Sequence, residues 1–142
     1  MNSAITGVIV KLLYYQGQVV LDDFDTPVIR PVVWMGNSKK NIMGFPKEVQ
    51  KLIGNELQLI QFGGMPKDAK PFKGVGSGVF EIALRHDREA YRCLQAVQLG
   101  KKIYVLHAFH KKSKKGIQTP KQEVETIKRR YKEAKELAKN ED

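Results

Sequence analysis

Between Val79 and His110 the chain carries three apolar, β-rich runs joined by connections too short to cross a sheet, and no other feature narrows its folding options as far. The runs are Val79 to Arg85, Ala90 to Leu99 and Ile103 to His110. The first two are joined by the polar turn His86-Asp87-Arg88-Glu89 and the last two by Gly100-Lys101. Parallel neighbours need a crossover of a dozen residues or more, whereas antiparallel neighbours need only a tight turn. The three runs therefore predict an antiparallel meander.

The flanking segments follow a different period. From Ser38 to Phe62 the apolar residues Ile42, Phe45, Val49, Leu52, Ile53, Leu57, Leu59 and Ile60 recur mostly at spacings of three and four, the stripe of amphipathic helices. Pro46 interrupts this stripe, and because proline suits a first turn but not an interior, the pattern predicts a short helix to about Gly44 and a longer one from Pro46 to Phe62. Gly63-Gly64 stops the second helix. Upstream, Val32 to Met35 reads as a short strand ended by Gly36-Asn37, with Ser38 as a helix cap. Downstream, Pro120 opens a charged helix from Lys121 to about Lys139, whose docking face is Val124, Ile127, Tyr131, Ala134 and Leu137. Met65 to Gly78, rich in Gly, Pro and Lys, reads as a linker. The order predicts an α+β fold: helices on one face of a mostly antiparallel sheet, the other face free to carry a site. Residues 1–29 stand apart as an extension or added hairpin, leaving 30–142 as the domain.

A chain of 142 residues suits one core. Its net charge of +10 points to a polyanionic partner, nucleic acid being the commonest because phosphate neutralisation releases counterions. Cys93 is the only cysteine, which excludes an internal disulfide and a cysteine-built zinc site and suggests a reducing compartment. Its apolar neighbours Leu94 and Ala96 mark it as a buried, inert thiol. No run reaches the ~18 apolar residues of a membrane span. The stretch Ala4 to Leu13 lacks the basic start of a signal peptide, so the expected location is the cytoplasm.

The charge is unevenly spread. No acidic residue falls between Glu89 and Glu123, while that interval holds Arg92, Lys101, Lys102, Lys111, Lys112, Lys114, Lys115 and Lys121, with His107 and His110. An unbalanced run beside strand ends resembles a phosphate-binding rim, although a soluble lysine loop has the same composition. Metal-free RNA cleavage needs a base for the 2′-hydroxyl proton, cations for the phosphorane and a donor for the leaving oxygen. Arg85, Arg92, His110, Lys111 and Lys112 supply those groups, and Lys73, Tyr91, Lys114, Lys115 and Lys121 supply contacts to RNA, Tyr91 by stacking a base. The opposing structural reading makes Arg92 a cross-strand partner of Glu81, and Arg85 an exposed strand-end charge. His107 and His110, three apart on a strand, face opposite ways and cannot share a metal; His107 is expected in the core beside Ile103, Val105 and Phe109. No metal and no cofactor is expected, and phosphate-loop, nucleophile-elbow and HExxH motifs are absent.

Several segments together resemble a known family: Pro31 to Lys40 (PVVWMGNSKK), Ala69 to Gly74 (AKPFKG), Gly78 to Ile82 (GVFEI), Ala90-Tyr91-Arg92, and Tyr104 to Pro120 (YVLHAFHKKSKKGIQTP). They are similar to the HigB-like, phage Gp49-like toxins of the RelE/ParE superfamily, over about Arg30 to Lys139. The resemblance implies a RelE/ParE-like fold, a helical hairpin and C-terminal helix on a twisted sheet. It also implies a helix-turn-helix antitoxin as partner and cleavage of messenger RNA in the ribosome. By position, Arg92 matches the arginine of the middle hairpin strand, and Lys111 or Lys112 the basic residue after the last strand. The chain departs from RelE itself where that toxin has lysines on the first meander strand: here stand Glu81 and Ala83, with Arg85 the nearest base. Two other readings stay open: a ParE-like toxin that binds DNA gyrase, and a nucleic-acid-binding protein without chemistry.

Overall fold

A computed structural model describes residues 29–111 and 119–141. The expectations placed on residues 1–28, and on Lys112, Lys114 and Lys115, lie outside the described residues. In chain order the elements are β1 (Val32–Trp34), α1 (Ser38–Met43), α2 (Lys47–Gln61), β2 (Ala69–Pro71), β3 (Val79–His86), β4 (Glu89–Ala96), β5 (Ile103–Lys111) and α3 (Lys121–Lys139). The sheet has five strands in the order β1-β5-β4-β3-β2. The meander is as expected: β3 pairs antiparallel with β4, and β4 with β5. β1 lies parallel to β5, Val33 opposite Tyr104, after the long path through α1, α2 and the first meander strands.

The turn between β3 and β4 is tighter than its polar stretch suggested. Only Asp87 and Arg88 lie outside the strands, at φ 50° and 69°. Positive φ at both central positions gives a turn whose twist matches that of the strands it joins. The β4–β5 connection is longer than expected, because β4 ends at Ala96 and β5 begins at Ile103.

Four expectations are corrected, the last being the face on which His107 lies. The stretch Met65 to Gly78 is not linker throughout: Ala69–Pro71 pairs with Phe80–Ile82 as an edge strand. So short a strand, with a proline and flanking glycines, has no alternation for a pattern search to find. Ser38 does not cap α1; it is the first helical residue, fully buried, and its hydroxyl donates to the carbonyl of Val105 at 3.3 Å.

The largest correction concerns the layers, because helices cover both faces of the sheet. On one face α1 and α2 bury Ile42, Val49, Ile53, Leu57 and Ile60 against Ile82, Cys93, Val97, Ile103 and Val105. Each such side chain contributes ~1.5–3 kcal/mol by leaving water. On the other face α3 packs Ile127, Tyr131 and Ala134 against Val79, Leu94, Ala96, Tyr104 and Leu106. An amphipathic helix docks wherever an apolar sheet face is offered, and β4, buried along nearly its whole length, offers two.

A register shift between Leu94 and Gln95 places Leu94 opposite His107 and Gln95 opposite Val105. The bulge leaves Leu106 and His107 both toward α3, so His107 does not share a face with Ile103 and Val105 as simple alternation implies. His107 is buried, as expected, within a polar network. Its Nε2 meets Glu123 Oε1 at 2.6 Å and its Nδ1 lies 3.2 Å from Arg130 Nη1. A guanidinium only donates, so Nδ1 accepts and Nε2 carries the proton given to Glu123. Arg130 also donates to the carbonyl of Leu106 at 3.0 Å and to Asn37 Oδ1 at 2.9 Å, tying α3 to β5 and to the turn before α1. That turn passes over the guanidinium at Gly36, where an added Cβ would come within 2.5 Å of it.

Candidate nucleic-acid interface

α3 runs back along β5. Its first turn meets His107 through Glu123, and Glu141, beyond its last turn, accepts from the backbone of Lys101 and the hydroxyl of Tyr104. These contacts leave the far end of the same face, where β3 and β5 finish and β4 begins, to other side chains. Strand alternation and register put Glu81, Ala83 and Arg85 of β3 there, with Ala90 and Arg92 of β4 and Phe109 and Lys111 of β5.

Arg92 stands diagonal to Glu81 and donates from Nη1 to Oε2 at 2.8 Å, each side chain 15% exposed. The cross-strand partner weighed for Arg92 is therefore present. The guanidinium is not saturated by it: its Nε–H is buried and has no hydrogen-bond partner among the described residues. Leaving such a donor unpaired costs ~1–3 kcal/mol, which an anion's oxygen would recover. Lys111 is buried beside this pair. Burial, and next the Arg92 guanidinium, hold its ammonium below the usual lysine range, with Glu81 pulling the other way. Arg85 is exposed and donates to the carbonyl of Arg88 at 3.3 Å. Three cations and one carboxylate thus share this end of the face.

The other residues singled out in the sequence are distributed differently. His110 points to the opposite face, toward α1 and α2. Its ring stacks on Tyr91 at a centroid distance of 4.6 Å and an interplanar angle of 10°, and its Nε2 contacts Glu89. Tyr91 is buried, with Phe45 edge-on at 5.0 Å, so its ring is already occupied by protein and offers no platform to a base. His86, on that face too, lies 3.7 Å from Glu48 and 3.4 Å from Asp87. Lys73 is exposed but lies between β2 and β3, at the Val79 end of the sheet. Lys121 is exposed at the start of α3, the end that meets β5 at His107. The structure thus brings Arg85, Arg92 and Lys111 together and sets His110 and Tyr91 behind them. Glu81, named in the sequence only as a partner and a departure, is the member that pattern reading passed over. Its two-residue offset from Ala83, the residue opposite Arg92, was the available signal.

Among the described residues no group of three or more His, Cys, Asp or Glu is arranged to hold a metal ion, and no helix is long and apolar enough to cross a membrane. The model of one protein family, phage derived protein Gp49-like (DUF891), matches residues 40–132, well over half of the chain. The chain belongs to the Gp49-like family. This is a RelE/HigB-type toxin family, associated with the toxins of toxin–antitoxin pairs, and membership implies an antitoxin partner. The matched span includes every described residue of the cationic strand ends, together with β3, β4 and β5 in full. Searches of curated proteins and of solved structures found no match.

Proposed function

We propose that this Gp49-like chain is the toxin of a toxin–antitoxin pair and acts as a metal-independent endoribonuclease on messenger RNA in the ribosome. The observation that carries the reading is the meeting of Arg92, Lys111 and Arg85 on one part of a sheet face, in a chain of a toxin family. In sequence, residues 112–121 follow β5 with four more lysines, at 112, 114, 115 and 121, and no acid. The arrangement suits a phosphate: a guanidinium with an unpaired buried N–H, an ammonium beside it and an exposed arginine at the rim. In the reaction the 2′-oxygen attacks the adjacent phosphorus, the bond to the 5′-oxygen breaks, and a 2′,3′-cyclic phosphate and a 5′-hydroxyl result. Arg92 and Lys111 stabilise the phosphorane charge, each such donor accounting for ~2.7–4 kcal/mol of barrier where one has been removed elsewhere. Lys112 and Arg85 hold flanking phosphates, and Lys114, Lys115 and Lys121 contribute attraction to the backbone.

The order of helical hairpin, meander and C-terminal helix supports a RelE/ParE-like fold of the HigB branch. In this reading residues 30–142 form the toxin unit and 1–29 an extension, in keeping with a matched span that starts at residue 40. The antitoxin is of the helix-turn-helix type and the setting is the bacterial cytoplasm. A gyrase-binding, ParE-like action is favoured by one observation, that Arg92 is already engaged by Glu81.

Primer extension on cellular messages after brief induction separates the readings, comparing the native chain with Arg92→Ala and Lys112→Ala. Cuts at codon boundaries of translated messages, lost in both variants, are the expected result. Growth arrest with intact messages refutes the nuclease reading in favour of gyrase, and harmless expression refutes both in favour of plain binding.

A further inference from the structure

Glu81 is a carboxylate placed where a cation would serve phosphate binding better. Among the strand residues that register puts at this end of the face it is the one acid, it is 15% exposed, and Arg92 Nη1 grips its Oε2 at 2.8 Å. A purely electrostatic phosphate site gains nothing from an anion at its centre, and the ion pair leaves the arginine's Nε–H buried and without a partner among the described residues. Both features fit a carboxylate that holds the guanidinium until a phosphate replaces it.

Resting on the nuclease reading above, we propose that Glu81 is the general base of RNA cleavage, released for that task when the scissile phosphate takes over Arg92. A carboxylate that loses its cation to a phosphate and gains a neighbouring anion binds a proton more readily. In the step, Glu81 accepts the proton of the 2′-hydroxyl as the 2′-oxygen forms its bond to phosphorus. The bond between phosphorus and the 5′-oxygen breaks, and the departing oxygen takes a proton from Lys111, whose ammonium burial and Arg92 make a readier donor. No oxidant, metal or further reactant is needed. His110, the only histidine on β5 near the strand end, is on the other face in contact with Glu89, so the base role falls to the group already touching Arg92.

Single-turnover cleavage of a message on programmed ribosomes, followed across pH with the full chain, tests this through Glu81→Gln and Glu81→Asp. Ribosome binding and thermal midpoint are recorded alongside. Glutamine keeps an oxygen for Arg92 but takes up no proton in the working range. It should leave binding within a few-fold, lower the cleavage rate by ~10²- to 10⁴-fold and abolish the acidic limb of the pH–rate profile. Aspartate, shorter by a methylene, should retain the acidic limb at a reduced rate, which a merely structural role would not predict. Cleavage by Glu81→Gln at the native rate, or a slow rate with the acidic limb intact, overturns the proposal while leaving the nuclease reading standing. A native chain that cleaves no message under these conditions overturns the nuclease reading and this inference with it.

Discussion

Arg130→Met removes the cation that ties α3 to the rest of the chain while keeping most of its apolar stem. Three acceptors lose their donor: the carbonyl of Leu106, His107 Nδ1 and Asn37 Oδ1. Asn37 is exposed and can be rehydrated, whereas Leu106 and His107 are buried. Two buried acceptors at ~1–3 kcal/mol each give a gross loss of ~2–6 kcal/mol. Part is returned because the guanidinium, whose burial holds it below the usual arginine range, no longer has to be desolvated. A net loss of ~3 kcal/mol follows, corresponding to a fall of ~10 °C in thermal midpoint for a chain of this size. Denaturant titration gives the free energy and calorimetry the midpoint. NMR titration should also show His107 protonating at higher pH in the variant, since Arg130 is among the groups that lower it. A loss under 1 kcal/mol with an unmoved His107 would refute the view that this node holds α3 in place.

Three further predictions rest on separate observations. Burial, the largest cause, keeps His107 below its ordinary value despite the opposing bond to Glu123. The folded protein therefore refuses a proton that the unfolded chain accepts, and stability should be flat above about pH 6.5 and fall as pH drops below it. His107→Gln should flatten that acid dependence of the urea midpoint; an unchanged slope assigns it to other groups. Burial pushes the Cys93 thiol up to about 12, so a thiol reagent should label native protein no faster than the whole molecule unfolds, and rapid labelling without unfolding would contradict the packed sheet. Finally, Arg85→Ala should weaken binding of single-stranded RNA and lower the slope of log affinity against log salt by ~0.7; an unchanged slope would take Arg85 out of the phosphate contacts.

The cationic strand end was partly legible in the sequence. The acid-free interval after Glu89 and the Tyr91-Arg92 pair pointed to it, and register puts Arg85, Arg92 and Lys111 on one face at that end. His110 and Tyr91 were grouped with them because they are neighbours in sequence, yet adjacent strand residues face opposite ways, and both belong to the face under α1 and α2. Glu81 was named only as the partner of an arginine and as a departure from RelE; its place among three cations needs the β3–β4 register, which is a fact about two strands at once.

Local chemistry in the sequence determined the elements themselves. Pro46 and Pro120 set the starts of α2 and α3, the apolar periods set most of their buried faces, Leu52, Leu59 and Leu137 being exposed instead, and short connections forced β3, β4 and β5 into a meander. Each of these depends on residues within a few positions of one another, where steric and hydrogen-bonding preferences act without help from the rest of the chain. Tertiary structure alone decided that α3 crosses to the second face, that β1 joins β5 in parallel, and that a bulge turns His107 toward Glu123 and Arg130. Those outcomes come from competition among distant surfaces for burial and for hydrogen-bond partners, and no single segment carries the terms of that competition.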